Sequence, residues 1–314
     1  MVDLAIPGYI EHALKCFWHP HPKYTEHVPH AWQKPTYGTT TQLTPDPNHT
    51  PALDAADCQH VQEVIGILLY YAQAVDPTLL TALGTLATQQ AQGMQATLEA
   101  LTQLLNYCAT HPDASIHCQA SDMVLWAHSN ASYLSAPKGQ SHAASYYFLS
   151  SHPHTAPVAT DPAPPNDGPV HILCQIMCQV VASTVEAELG ALFLNAQAAC
   201  PLCITLDELS HPQAATLLQT DNDTACGIIN DMVKQKRSKA IDMQFTGYVT
   251  AHARVSVTSF GAWALPIMPI IFPNITQPNI INLCATLTCI HYMPSTITTL
   301  PCSTIDQNIL VRVC

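Results

Sequence analysis

Apolar residues recur at helical spacing between residues 58 and 110. Three segments there, VQEVIGILLYYAQAV, PTLLTALGTLATQQ and MQATLEALTQLLNYCA, place apolar residues three and four positions apart. Pro77 stands where a first-turn proline would begin the second segment. The pattern therefore predicts three helices. The chain before them is rich in Pro, His and Thr, which predicts an extended, loop-like segment.

A different pattern follows from residue 121. SDMVLWAHSNASY and HAASYYFLSS are rich in β-favouring residues and flank the polar turn APKGQ. After a proline-dense loop, VHILCQIM predicts a third strand, and residues 184–209 predict a long helix interrupted at Pro201. LLQT and DTACGIINDMV predict a short buried strand and a helix. This order predicts an α/β fold in which helices pack on a mixed sheet.

Composition limits the classes of protein that the chain can belong to. Its 314 residues carry a net charge of −12, and only 10% of them are charged. An acidic balance argues against a dedicated nucleic-acid binder, which would carry a basic stripe. No secretory signal is present, and the apolar stretches are too short or too broken by proline to span a bilayer. We therefore expect an intracellular protein, cytoplasmic or nuclear, whose 13 cysteines stay reduced.

Three short segments carry polar groups directly after apolar runs. They are AHSNAS (127–132), STVEAELGAL (183–192) and LQTDNDTA (218–225). Two strand ends and one helix start can bring such groups together at one site. Carboxylates are the ligands that hard cations such as Mg²⁺ prefer. Two such ions can activate a water and stabilise the leaving oxygen of a phosphodiester.

These three segments resemble the ribonuclease H patterns HSDASY, S-x-x-EAE-[YL]-x-AL and xxDN-x-x-A of copia-type LTR-retrotransposon polyproteins. IPGYIEHALKCF and LNYCATHPDA are similar to the thumb/connection segment of the reverse transcriptase in that family. KQKRSKAIDMQF is similar to the family's K-x-x-R-T-K-x-x-D-M-R-F stretch. The resemblance covers about residues 5–245, in order, and it implies a ribonuclease H-like sheet preceded by a helical connection segment.

The family uses paired Mg²⁺ ions to hydrolyse the RNA strand of RNA–DNA hybrids, so the resemblance implies the same chemistry and the same partner. Its metal-binding carboxylates fall on Glu188 and Asp221. Glu188 is preferred over Glu186 because Leu189 then fits the E-[LY]-x-A pattern. Asn130 stands where the family has its first catalytic aspartate. An amide oxygen brings no negative charge and cannot easily bridge two cations, so we expect metal affinity to fall sharply.

The family's fourth aspartate is missing, and a shift of reading frame accounts for its absence. Suppose that one nucleotide was lost near the codon of Phe245. The shifted codons then force Gly across the Trp263/Ala264 junction and Ala across the Met268/Pro269 junction, as the family expects at those places. We infer that residues 246–314 are out-of-frame translation. The last strand of the sheet and the final helix are therefore expected to be lost.

The expected organisation has four parts. These are a Pro/His-rich extended segment (1–53), the helical thumb/connection segment (54–118), a ribonuclease H-like domain (119–245) and an irregular or disordered tail (246–314). We expect a polyprotein fragment that no longer cleaves hybrids, with no membrane or protein partner. The alternative is a non-enzymatic relic or a passive hybrid-binding protein. No Y-x-D-D polymerase motif is present, so copying of nucleic acid is not expected.

Three further groups of side chains leave alternatives open. A basic run is either a patch that contacts the hybrid backbone or the solvated start of a helix: Lys234, Lys236, Arg237, Lys239. Four cysteines could form a zinc site, but we favour buried thiols that act as small apolar residues: Cys174, Cys178, Cys200, Cys203. Four histidines could bind a metal, but we favour a solvated linker: His19, His21, His27, His30.

Overall fold

The computed structural model describes residues 1–31, 50–136, 139–152 and 167–230, together with the backbone of two later strands. These residues form two compact units. The first contains the described residues up to Cys118 together with residues 310–313, and the second contains those from Gln119 to Ser259. The helices and strands of the described residues, in chain order, are β1 (Val2–Ala5), α1 (Tyr9–Cys16), α2 (Ala55–Ala74), α3 (Leu80–Gln89), α4 (Gln95–Thr110), β2 (Ser115–Cys118), β3 (Val124–Ala136), β4 (Gln140–Ser150), β5 (Pro169–Ile176), α5 (Thr184–Glu208), β6 (Thr216–Thr220), α6 (Asp223–Ile229), β7 (Val255–Ser259) and β8 (Leu310–Val313).

The first unit contains the three predicted helices, which are confirmed as α2, α3 and α4. The Asp54 side chain caps α2 by accepting a hydrogen bond from Asp57 N at 2.8 Å. Pro77 begins a 3₁₀ turn that leads directly into α3. Leu83 and Leu104, one on each of the later helices, are fully buried in the core of this unit.

The sequence had led us to expect an extended N-terminal segment, but part of this segment is helical. α1 buries Tyr9 and Ile10 together with Ala13 one turn later, so a short apolar face holds it as a helix. The Tyr9 hydroxyl donates to the Ile67 carbonyl on α2 at 2.9 Å. β1 lies between β2 and β8 in an antiparallel sheet. The prediction failed here because a single turn or two of helix gives too short a pattern to recognise.

The second unit is built on a five-stranded mixed sheet with the order β5-β4-β3-β6-β7. The first three strands along the chain pair antiparallel, whereas β6 and β7 run parallel to β3. α5 connects β5 to β6 and buries Leu189, Leu192 and Ala196 in one apolar cluster with Leu125 and Leu218. The order and direction of the strands, with helices packed on the sheet, define a ribonuclease H-like fold. The predicted mixed sheet is confirmed.

α5 continues through Pro201 instead of breaking there. A proline in a helix removes one backbone hydrogen bond, and beyond it Cys203 and Leu206 are still buried in the core. At 25 residues α5 is the single helix of the described residues that is long and apolar enough to cross a membrane by length and composition. The sequence had led us to expect no such stretch. The residues that α5 buries pack against the sheet, as those of a core helix do.

The last strand of the sheet is present, although we expected it to be lost. β7 pairs with β6 in parallel, from Thr216↔Val255 to Thr220↔Ser259. Its sequence, VSVTS, contains three β-branched residues and two serines, and the edge of β6 offers unpaired backbone groups to any segment of that kind. β8 also falls in the tail that we expected to be irregular. The expected loss of the final helix concerns residues outside those that the structure describes.

Candidate functional site

The sheet brings Asn130 and Asp221 to neighbouring strands. β3 and β6 run parallel, and the last pair in their register is Ser129↔Thr220. Asn130 directly follows Ser129, and Asp221 directly follows Thr220. The two residues therefore lie next to each other in the sheet, at the point where β6 ends.

The carboxyl of Glu188 reaches both of these strands from α5. Its Oε1 accepts a hydrogen bond from Ala131 N at 3.1 Å. Its Oε2 accepts one from the Thr220 hydroxyl at 3.4 Å. The Glu188 side chain is 6% exposed, although it carries an ionisable group. Glu188 thus contacts the backbone next to Asn130 and the residue before Asp221.

The start of α5 explains why Glu188 and not Glu186 faces the sheet. The Ser183 side chain accepts a hydrogen bond from Glu186 N at 3.2 Å, as an N-cap residue does. The Glu186 carboxylate turns back and accepts from Ala182 N at 2.7 Å, which leaves it at the cap. Glu188, two residues later, points to the opposite side of the helix and into the protein.

Asn195 fixes the position of α5 on the sheet two turns after Glu188. Its fully buried side-chain amide donates to the Ser129 hydroxyl at 2.7 Å and to the Ala144 carbonyl at 2.9 Å. The Tyr147 hydroxyl donates to the backbone carbonyl of Asn195 at 2.7 Å. These bonds connect the helix to β3 and β4, so they set the height at which Glu188 meets the strand ends.

Burial and like charge together keep the Glu188 carboxyl protonated at neutral pH. Desolvation, and after it the nearby Asp221 carboxylate, raise the pKa of Glu188 to about 8. Hydrogen bonds from Ala131 and Thr220 oppose this rise without cancelling it. Burial also raises the pKa of Asp221 above its usual range. The effect of Asp221 on Glu188 shows that the two carboxyls are close enough to interact.

This donor set does not fit a pair of Mg²⁺ ions. Glu188 and Asp221 are the two carboxyls that interact here, and both oxygens of Glu188 already accept hydrogen bonds within the protein. Among the residues that the structure describes, no group of three or more His, Cys, Asp or Glu side chains could hold a metal. Paired hard cations need several charged oxygens, some of which bridge the two ions. An amide at Asn130 cannot supply that charge.

The sequence also offered a basic run and a group of cysteines. The basic run Lys234, Lys236, Arg237 and Lys239 lies outside the described residues. Cys174 and Cys203 are buried, and the thiol of Cys203 contacts the Thr216 hydroxyl at 2.9 Å.

Sequence reasoning missed the polar groups that hold the site in place. Asn195 belongs to no motif that we used, and Thr220 falls at an unspecified position of the xxDN-x-x-A pattern. A threonine at the end of a strand is common enough that this position alone carries no signal. The Ala131 backbone N–H could not be assigned a role before the register of β3 was known.

Several solved structures are similar to this chain. The N-terminal ribonuclease H domain of a Mycobacterium tuberculosis protein, solved as a fusion with maltose-binding protein, is 10% identical, with 45% of this chain and 84% of that chain covered and a TM-score of 0.30. Ribonuclease H1 from Halobacterium salinarum is 12% identical, with 44% and 86% covered and a TM-score of 0.29. A foamy viral protease–reverse transcriptase in complex with double-stranded DNA is 12% identical, with 70% and 40% covered and a TM-score of 0.38. At these scores the likeness adds nothing to the strand order described above. No family model and no curated protein matches the chain.

Proposed function

We propose that this chain is a ribonuclease H-like domain, with its helical connection segment, from a copia-type retroelement polyprotein, and that it does not hydrolyse RNA in RNA–DNA hybrids. The motifs in their order support the origin. The observation that carries the loss of activity is that Asn130 stands where the family has its first catalytic aspartate, next to the Ala131 N–H that Glu188 contacts.

The charge at the site supports the same proposal. With the pKa of Glu188 at about 8, most of this carboxyl is neutral at pH 7. Asp221 is then the main source of negative charge in the cluster. Cleavage of a phosphodiester by this family depends on cations that several carboxylates hold. The residues present would bind such ions weakly and would not position two of them.

A cleavage assay on the full chain tests the loss of activity. The substrate is an RNA–DNA hybrid with a labelled RNA strand, incubated with Mg²⁺ or Mn²⁺ at a concentration far above that of the protein. We expect no RNA cleavage above the protein-free background with either ion. Binding of the same hybrid, followed by fluorescence anisotropy, separates a relic from a passive hybrid binder.

Two variants make this result interpretable. Asn130→Asp restores the missing carboxylate, and Glu188→Gln removes a carboxylate while keeping the shape of the side chain. Divalent-dependent cleavage by the natural chain that Glu188→Gln abolishes would contradict the proposal. Cleavage that Glu188→Gln leaves unchanged would come from a contaminating nuclease.

The nucleotide sequence of the gene tests the retroelement origin independently. If a nucleotide was lost near the codon of Phe245, the adjacent frame should encode N-Y-A-D-x-x-[TS]-K across the codons of residues 266–274. A different sequence in that frame would refute the frameshift, even if the chain proved inactive.

A further inference from the structure

Two histidines from distant parts of the first unit converge at its surface. His27 Nδ1 lies 3.3 Å from His111 Nε2, although 84 positions separate these residues in the sequence. Their ring centroids are 5.5 Å apart, and the ring planes meet at 53°. Both residues are exposed, so the two nitrogens are accessible from solvent.

The separation of these nitrogens matches that of two ligands on one metal ion. With Zn–N bonds of about 2.0–2.1 Å and tetrahedral angles, two imidazole nitrogens on one Zn²⁺ lie about 3.3–3.4 Å apart. Without a metal, the N–H of one ring donates a hydrogen bond to the nitrogen of the other at this distance. A metal would take up both lone pairs, and each ring would keep its proton on the remaining nitrogen.

The chain around His27 is held against α4 on both sides. Glu26 N donates to the Thr110 hydroxyl at 3.0 Å. The Gln103 side-chain amide donates to the Val28 carbonyl at 3.2 Å. These bonds fix the residue before His27 and the residue after it, so the ring is positioned before any ligand arrives. Positioning in advance lowers the entropic cost of binding.

The end of α4 positions the second ring and favours a cation. His111 is the C-cap residue, and its backbone N–H donates to the Tyr107 carbonyl at 2.9 Å. Its ring packs on that of Tyr107, with 4.9 Å between the centroids. The carbonyls at the end of a helix carry partial negative charge and stabilise a positive ion placed there.

We propose that His27 Nδ1 and His111 Nε2 form a binding site for a borderline transition-metal cation of the Zn²⁺ or Ni²⁺ class. Imidazole nitrogen suits these ions, whereas Mg²⁺ prefers oxygen. No third protein ligand joins the pair among the described residues, so water completes the coordination. A bound ion would connect the N-terminal segment to the end of α4. This site is separate from the carboxyl cluster and does not depend on the proposed function.

The test is titration of the full chain with Zn²⁺ in a calorimeter under reducing conditions that do not chelate zinc. Wild type is compared with His27→Ala, with His111→Ala and with the double variant. The comparison is needed because other histidines and cysteines of the chain can also bind zinc. We expect wild type to take up one Zn²⁺ more than the double variant. The affinity of that site should fall at least tenfold in each single variant.

His21→Ala is the matched control, because His21 is an exposed histidine in the same segment whose ring contacts a backbone carbonyl. It should leave the extra site unchanged. A second readout is the histidine ¹⁵N spectrum, in which the resonances of His27 and His111 should shift together as the first equivalent is added. Equal zinc uptake by wild type and the double variant, or an equal loss in His21→Ala, would overturn the proposal. Separate shifts of the two rings would do the same.

Discussion

Replacing Glu188 with glutamine should remove the contribution of this carboxyl to the pH dependence of folding stability between about pH 5 and about pH 8. The pKa of this carboxyl is about 8 in the folded chain, against a usual value of 4.5. Between these values the unfolded chain releases a proton that the folded chain keeps. Rising pH therefore destabilises the fold, and the loss levels off above the folded pKa.

The size of this effect follows from the difference between the two pKa values. At about 1.4 kcal/mol per pKa unit, the whole shift corresponds to about 5 kcal/mol, of which about 3 kcal/mol falls between pH 5 and pH 8. Glutamine keeps the shape of the protonated acid. Its Oε1 can accept from Ala131 N, and its Nε2 can donate to the Thr220 hydroxyl. The variant should thus gain on wild type as the pH rises.

Urea unfolding at a series of pH values measures this gain as the difference in free energy of unfolding between variant and wild type. Glu208→Gln, an exposed position at the end of the same helix, is the control and should leave the pH dependence unchanged. A difference between Glu188→Gln and wild type that stays constant from pH 5 to pH 8 would refute the view that Glu188 is buried as a neutral acid.

Three further substitutions address the same cluster and its support. Asp221→Asn removes a like charge, so it should lower the pKa of Glu188 and move the steep part of the wild-type stability curve to lower pH; an unmoved curve would show that the two carboxyls do not interact. Asn130→Asp adds a like charge, which should lower the free energy of unfolding by about 1.4 kcal/mol per unit of pKa shift in EDTA. In thermal melts of Asn130→Asp, added Mg²⁺ should raise the melting temperature again. An unchanged melting temperature would argue against a metal site at these residues. Asn195→Ala removes two buried hydrogen bonds, including the one to Ser129, and should cost about 1–3 kcal/mol in urea unfolding; a cost near zero would show that this contact does not hold α5.

The sequence predicted the elements whose own pattern is long enough to determine them. α2, α3, α4 and α5 each repeat an apolar face over several turns, and the mixed sheet followed from the order of strands and helices. The tail strands were missed because partners elsewhere in the chain determine them. β8 pairs with β1, which lies more than 300 residues earlier, and no local pattern carries that information.

At the candidate site, the resemblance picked out Glu188 and Asp221, whose carboxyls interact, and Asn130, which lies on the strand beside Asp221. It could not predict the charge state of Glu188, because the pKa of a carboxyl depends on its burial and its neighbours. Nor could it find the contact between His27 and His111. Those residues belong to segments with no shared motif, and only the packing of the N-terminal segment on α4 brings them together.

The strand at the outer edge of the sheet bears on how genes that have lost their frame can still yield folded proteins. If the residues of β7 arose from a shifted frame, they entered the sheet without ever having been selected for it. Main-chain hydrogen bonds form whatever the origin of the sequence, and a short segment of β-branched and small polar residues arises readily by chance. A domain that has lost its original edge strand can thus pair newly encoded residues along the exposed edge of its sheet. It would then keep all the strands of the sheet after losing its catalytic activity.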